Sequence, residues 1–209
     1  MPTRLSKIDE LTRPDHTFLE QADDCYYLGE YTARAGYAFS TTNDLIQNLK
    51  KPMDRRGRPE WRYKTWAINR SAQMLREAIP EQWLDRVTFV PVPPSKTREH
   101  VDYDDRLLQI LTKVGEGRHF DIRELVVMAE NVDPAHLSDD PRNISALLNK
   151  MRLDRSLLQP VPQAICVFDD VLTTGAHFKA TQMWLRTEFP HVPLAGLFLA
   201  RRAPEAGPI

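Results

Sequence analysis

Cysteine is scarce in this 209-residue chain. Cys25 and Cys166 stand far apart with no Cys-x-x-Cys pair, so neither a disulfide framework nor a thiolate zinc site is expected. The histidines, His100, His119, His136 and His191 among them, show no ligand spacing. Net charge is nearly absent: −1, from 28 Lys plus Arg against 29 Asp plus Glu, gives no global field for holding nucleic acid. No apolar run reaches the roughly 18 residues a membrane span needs. The opening Met-Pro-Thr-Arg-Leu-Ser-Lys also lacks the apolar stretch of a secretory signal, so a cytoplasmic location without membrane contact is expected. Internal repeats, a Gly-x-Ser-x-Gly nucleophile elbow and a P-loop lysine are missing as well.

What is present suits a packed core, with 42% hydrophobic residues. Residues 1–80 read as an N-terminal, hood-like lobe of helices and a hairpin. The aromatic runs between Asp23 and Phe39, broken by glycine, suggest the hairpin. Thr42-Asn43-Asp44 offers cap chemistry for a short helix ending near Lys50-Lys51-Pro52, and Pro59 opens a longer helix that stops before Pro80. The stretch Asp54 to Arg58, with Trp61, Arg62, Tyr63 and Lys64, mixes cations and aromatics as single-strand nucleic-acid sites do, but such a stretch is more often a solvated helix face.

Residues 81–209 read as the core. Val87 to Val92 is β-prone and runs into a polar loop at Pro93-Pro94-Ser95-Lys96; a helix with an apolar stripe at Leu107, Leu108, Ile110 and Leu111 follows. Leu125 to Ala129 is a short apolar strand, and a polar loop fills 130–142. Ala164 to Phe168 is an unbroken apolar run, expected in a strand buried on both faces with Cys166 as a core residue. A helical pattern to Pro190 and an apolar strand from Leu194 to Ala200 complete a strand-helix-strand unit. The fold class expected is α/β, a mainly parallel sheet flanked by helices.

Chemistry concentrates after the apolar run, at Asp169-Asp170-Val171-Leu172-Thr173-Thr174-Gly175-Ala176-His177. In open α/β sheets the ligand crevice lies off the carboxyl ends of the strands, where this loop falls. Thr173, Thr174, Gly175 and Ala176 are small or hydroxyl-bearing, so their backbone N–H groups can close on a phosphate, helped by the following helix N-terminus. Two adjacent carboxylates repel a phosphate and suit hydroxyls or a hydrated divalent cation instead. A ribose 5-phosphate satisfies both halves of the loop.

Apolar strand, Asp-Asp-Val-x-Thr-Thr-Gly-Ala and helix together resemble the phosphoribosyl pyrophosphate (PRPP) motif of type I phosphoribosyltransferases. Within that superfamily, Phe89-Val90-Pro91-Val92-Pro93 with its basic loop, and Pro141-Arg142-Asn143-Ile144, are similar to the ComF branch, which is associated with DNA uptake and amidophosphoribosyltransferase-like function. The likeness runs over roughly residues 45–202. It departs at Val101-Asp102-Tyr103-Asp104-Asp105, where the family has Arg-Gly-Phe-Asn, in its lack of N-terminal zinc cysteines, and at His177, where the family has a hydroxyl.

The resemblance implies a type I phosphoribosyltransferase-like fold and a glycosyltransferase of nucleotide metabolism. It implies Asp169 and Asp170 as the catalytic acids on the ribose, and Thr173, Thr174, Gly175, Ala176 and His177 around the 5-phosphate. His177 either donates to the phosphate or points to solvent. Ser95, Lys96 and Arg98 would take the pyrophosphate, unless theirs is an ordinary solvated basic loop. Arg142 and Asn143 would belong to a flexible flap, or alternatively cap a helix. Magnesium would arrive on PRPP, with no direct protein ligands. Transfer of phosphoribosyl to a nitrogen acceptor is one expectation. Others are a non-catalytic PRPP or nucleotide sensor, and an effector or accessory subunit of a bacterial DNA-uptake, mobile-element or defence system. A protein partner or a homodimer stays open.

Overall fold

A strand rich in β-branched and aromatic residues pays for its buried backbone by pairing on both edges, and the run after Ala164 does so. In the computed structural model, which describes residues 4–130 and 144–204, it extends as β7 (Ala164–Leu172) between two parallel neighbours. The chain order is β1 (Ser6–Lys7), β2 (Asp24–Thr32), α1 (Thr41–Leu49), α2 (Trp61–Ala78), α3 (Glu81–Leu84), β3 (Val87–Pro91), α4 (Arg106–Gly115), β4 (Asp121–Ile122) and β5 (Val126–Met128). After residue 143 come α5 (Ile144–Lys150), β6 (Met151–Leu153), β7, α6 (Ala176–Glu188) and β8 (Leu194–Ala203).

The main sheet runs β1-β2-β8-β7-β3-β4. Every neighbour is parallel except β1, which is antiparallel to β2. The protein is thus α/β, with a mostly parallel sheet flanked by helices. Phe89, Phe168 and Phe198 are buried on β3, β7 and β8, and Cys166 is buried at 2% exposure, a core residue as its neighbours suggest. α1, α2 and α4 form one packed group of helices; α6 packs against α5 and touches the separate two-stranded sheet β5-β6. No helix among the described residues is long and apolar enough to cross a membrane.

Two segments differ from the sequence reading. Residues 23–39 do not make a hairpin: 24–32 form one long strand whose register runs Asp24 opposite Ala195 to Thr32 opposite Ala203. The segment before residue 80 therefore contributes to the same sheet as the segment after it. The glycine read as a break, Gly29, sits inside this strand, where an added Cβ would come within 2.7 Å of the Thr42 hydroxyl of α1. A close helix-strand approach, not a turn, explains that glycine. The strand at 126–128 exists, but it pairs antiparallel with β6 outside the main sheet.

Candidate functional site

β3 ends with Pro91 opposite Phe168 of β7, and the prolines that follow lack the N–H groups to extend the ladder. The chain leaves the sheet after one last bond, from the Val92 N–H to the Phe168 carbonyl at 2.9 Å. The 93–105 loop is thereby released beside Asp169. Together with the end of β7 and the start of α6 it encloses a cavity of about 720 Å³. Ser95, Lys96, Arg98, Asp169, Asp170, Thr173, Gly175, Ala176 and His177 all line it, so segments some 75 residues apart in sequence meet at one place. Thr174 is not on the cavity wall: its carbonyl accepts from the Phe18 N–H at 2.9 Å. Arg142 and Asn143 lie outside the described residues.

Residues 173–175 turn from the end of β7 into α6. Gly175 caps α6 with φ +88°, a left-handed conformation in which a Cβ would also press on Leu19 at 3.1 Å. The first N–H groups of α6, at Ala176, His177 and Phe178, have no acceptor within the helix, as in any helix first turn. The loop is braced from behind by the N-terminal segment. Buried His16 donates from Nδ1 to the Thr173 carbonyl, beside the Phe18 contact to Thr174. Burial depresses the His16 pKa, which favours the neutral ring. Lys179 of α6 ties to Asp23 at 3.0 Å and Glu20 at 3.2 Å, anchoring the same segment.

Side-chain alternation along β7 separates the two acids. Asp170 turns toward α1 and α4 and is 2% exposed. Its Oδ2 accepts from Arg106 Nε at 3.0 Å and Nη2 at 2.7 Å, and its Oδ1 lies 3.1 Å from Lys50 Nζ. Burial alone would raise its pKa, but the charges and hydrogen bonds of Lys50 and Arg106 outweigh burial and hold it well below the carboxylate range. Asp169, half-buried, accepts the Asp170 N–H on Oδ1 at 2.8 Å. Burial, then the neighbouring charge of Asp170, raises its pKa well above the ordinary carboxylate value. His177 is exposed on the cavity side yet crowded by protein; that desolvation, and then the charge of Lys50, lowers its pKa.

The ion pairs continue inward. Arg106 Nη1 donates to Asp104 Oδ2 at 2.7 Å, and the same oxygen accepts from Lys64 at 2.7 Å. Lys64, part of the cationic and aromatic stretch in the sequence, is therefore buried rather than on a solvated face, with 2% exposure. In the basic loop, Arg98 pairs with Glu124, which also accepts from the Tyr103 hydroxyl at 3.1 Å. Lys50 and Arg106 are the site residues that the sequence did not single out. Lys50 reads there as a helix end, and Arg106 carries no signal beyond following two aspartates. Among the described residues, no group of three or more His, Cys, Asp or Glu side chains could hold a metal ion unaided. No protein-family model matches this chain, and no curated protein matches it.

Proposed function

We propose that the cavity binds PRPP, or a nucleotide carrying ribose 5-phosphate, with Mg²⁺, and transfers the phosphoribosyl group to a nitrogen acceptor with release of pyrophosphate. On this reading the fold is of the type I phosphoribosyltransferase kind and close to its ComF branch. One observation carries the reading: the basic 95–98 loop, the Asp169-Asp170 pair and the turn residues Thr173, Gly175, Ala176 and His177, each suggestive alone, line a single cavity. The 5-phosphate sits at the start of α6, facing the N–H groups of its first turn. Asp169 accepts hydrogen bonds from the ribose hydroxyls and faces the positive charge that develops at C1. Lys96 and Ser95 approach the pyrophosphate.

The residues present fit a magnesium ion delivered by its ligand. Such an ion keeps its waters and phosphate oxygens, so it would ride on the ligand without a dedicated protein cage. When bound, it would neutralise charge on the leaving pyrophosphate. A sensor that binds without turnover is the second reading, favoured by the way cations already occupy both oxygens of Asp170.

Calorimetry with PRPP and Mg²⁺ tests the binding. Asp169→Asn should weaken affinity about tenfold or more, the scale of a lost hydrogen bond to a charged group. Undiminished binding would remove Asp169 from the ribose. Pyrophosphate release over a panel of bases and amines separates the readings: turnover supports transfer, and tight binding without it supports the sensor.

A further inference from the structure

Nine carboxylates and five Lys or Arg side chains line the cavity, so an anionic ligand depends on the few cations that can turn toward it. Arg98 is engaged by Glu124, and Arg106 is held by Asp104 and Asp170 through all three of its nitrogens. Lys50 differs in its setting. Its side chain is 43% exposed on the cavity wall, while the carboxylate it pairs with is 3% exposed, so the ammonium covers Asp170 from the open side. One ion pair at 3.1 Å leaves an ammonium two further donors.

The main chain beneath it is fixed. Lys50 N–H closes the end of α1 on the Ile46 carbonyl at 3.0 Å. The buried ammonium of Lys64 donates to the carbonyls on both sides, Leu49 at 2.8 Å and Lys51 at 2.9 Å, and spends its remaining proton on Asp104. The backbone of Lys50 is clamped while its four-carbon stem stays in the open cavity. A fixed base with a partly exposed charge on a flexible stem suits a ligand-gripping lysine better than a buried structural pair.

Resting on the phosphoribosyl reading above, we infer that Lys50 is a further binding residue of this site: its ammonium, parked on Asp170, contacts the phosphate held at the start of α6. Asp170 then serves as the anionic anchor for Lys50 and Arg106, and the ribose hydroxyls fall to Asp169 alone. This role adds a residue from outside the three loops that carry the motif.

Titration of the full chain with ribose 5-phosphate, and separately with PRPP and Mg²⁺, tests this. Lys50→Gln should weaken both about tenfold or more; it also takes one of two cations from buried Asp170, so the melting temperature falls, and circular dichroism checks that the fold is kept. Lys50→Arg should restore both to within about threefold, since it keeps the charge and donors. Acetic anhydride labelling read by mass spectrometry should show Lys50 protected once ribose 5-phosphate is bound. Equal affinity of Lys50→Gln and the unaltered chain for ribose 5-phosphate, or labelling of Lys50 unchanged by it, overturns the inference while the phosphoribosyl reading stands. Failure of the unaltered chain to bind either ligand overturns both.

Discussion

Asp169 and Asp170 carry the same functional group one residue apart, and their environments drive them in opposite directions. Asp170 gains two cations, so its stabilising contribution is present above the ordinary carboxylate pKa and is lost only in strong acid. For Asp169 the sign reverses. Its pKa in the fold lies above the ordinary value of 3.8, so ionisation costs the folded state, and stability is lost as pH rises through the folded pKa. Asp169→Asn should therefore stabilise the protein by about 1–2 kcal/mol near neutral pH, a few degrees in melting temperature. The gain should vanish in acid, where both folded and unfolded carboxyls are protonated. Thermal melts between pH 4 and pH 8 measure it; a gain independent of pH would place its cause elsewhere. The same substitution weakens ligand binding on the reading above, so stability and binding are set against each other at this residue.

At the scale of elements, the joint between β2 and α1 holds Lys50 at its far end. Ser40 caps α1, its hydroxyl accepting the Asn43 N–H at 3.0 Å. The buried Asn43 side chain binds the end of β2, accepting from the Thr32 N–H at 3.1 Å and donating to its carbonyl at 2.8 Å. Asn43→Ala leaves two backbone groups without those partners and should cost about 2–3 kcal/mol, measured by urea denaturation. A loss below about 0.5 kcal/mol would mean that water replaces the amide. The sequence made Thr42-Asn43-Asp44 legible as cap chemistry, but the cap is Ser40 and Asn43 works across the joint.

That contrast holds for the site as well. β7, the glycine turn and α6 were legible because strand, loop and helix signals there are local and contiguous. The partners of Asp170 were not, since Lys50 and Arg106 lie 120 and 64 residues away along the chain. The parallel pairing of β2 was hidden for the same reason. A strand with aromatics on both faces and a glycine inside has no periodicity of its own, and its partner is the last strand among the described residues.

For the whole molecule, the main sheet joins its earliest long strand to its latest. β2 pairs β8 along eight registered residues, and both are reinforced by the ion pairs of Arg201 with Glu30 and with Asp15, the latter at 2.8 Å. Amides of β2 and β8 should therefore share one hydrogen-exchange protection set by global unfolding. A β2 that exchanges far faster than β8 would show that the strand opens on its own.

The same pairing imposes an order in time. Asp24 and Ala195 are separated by roughly 170 residues, so during synthesis β2 emerges from the ribosome long before the strand it must lie against exists. Until then it is an unmatched, aromatic-rich edge open to other chains. The Thr173–Gly175 turn, leaning on His16 and Phe18 just upstream, should set only after that late closure. A nascent chain stalled before residue 194 should be sticky and unable to hold ligand.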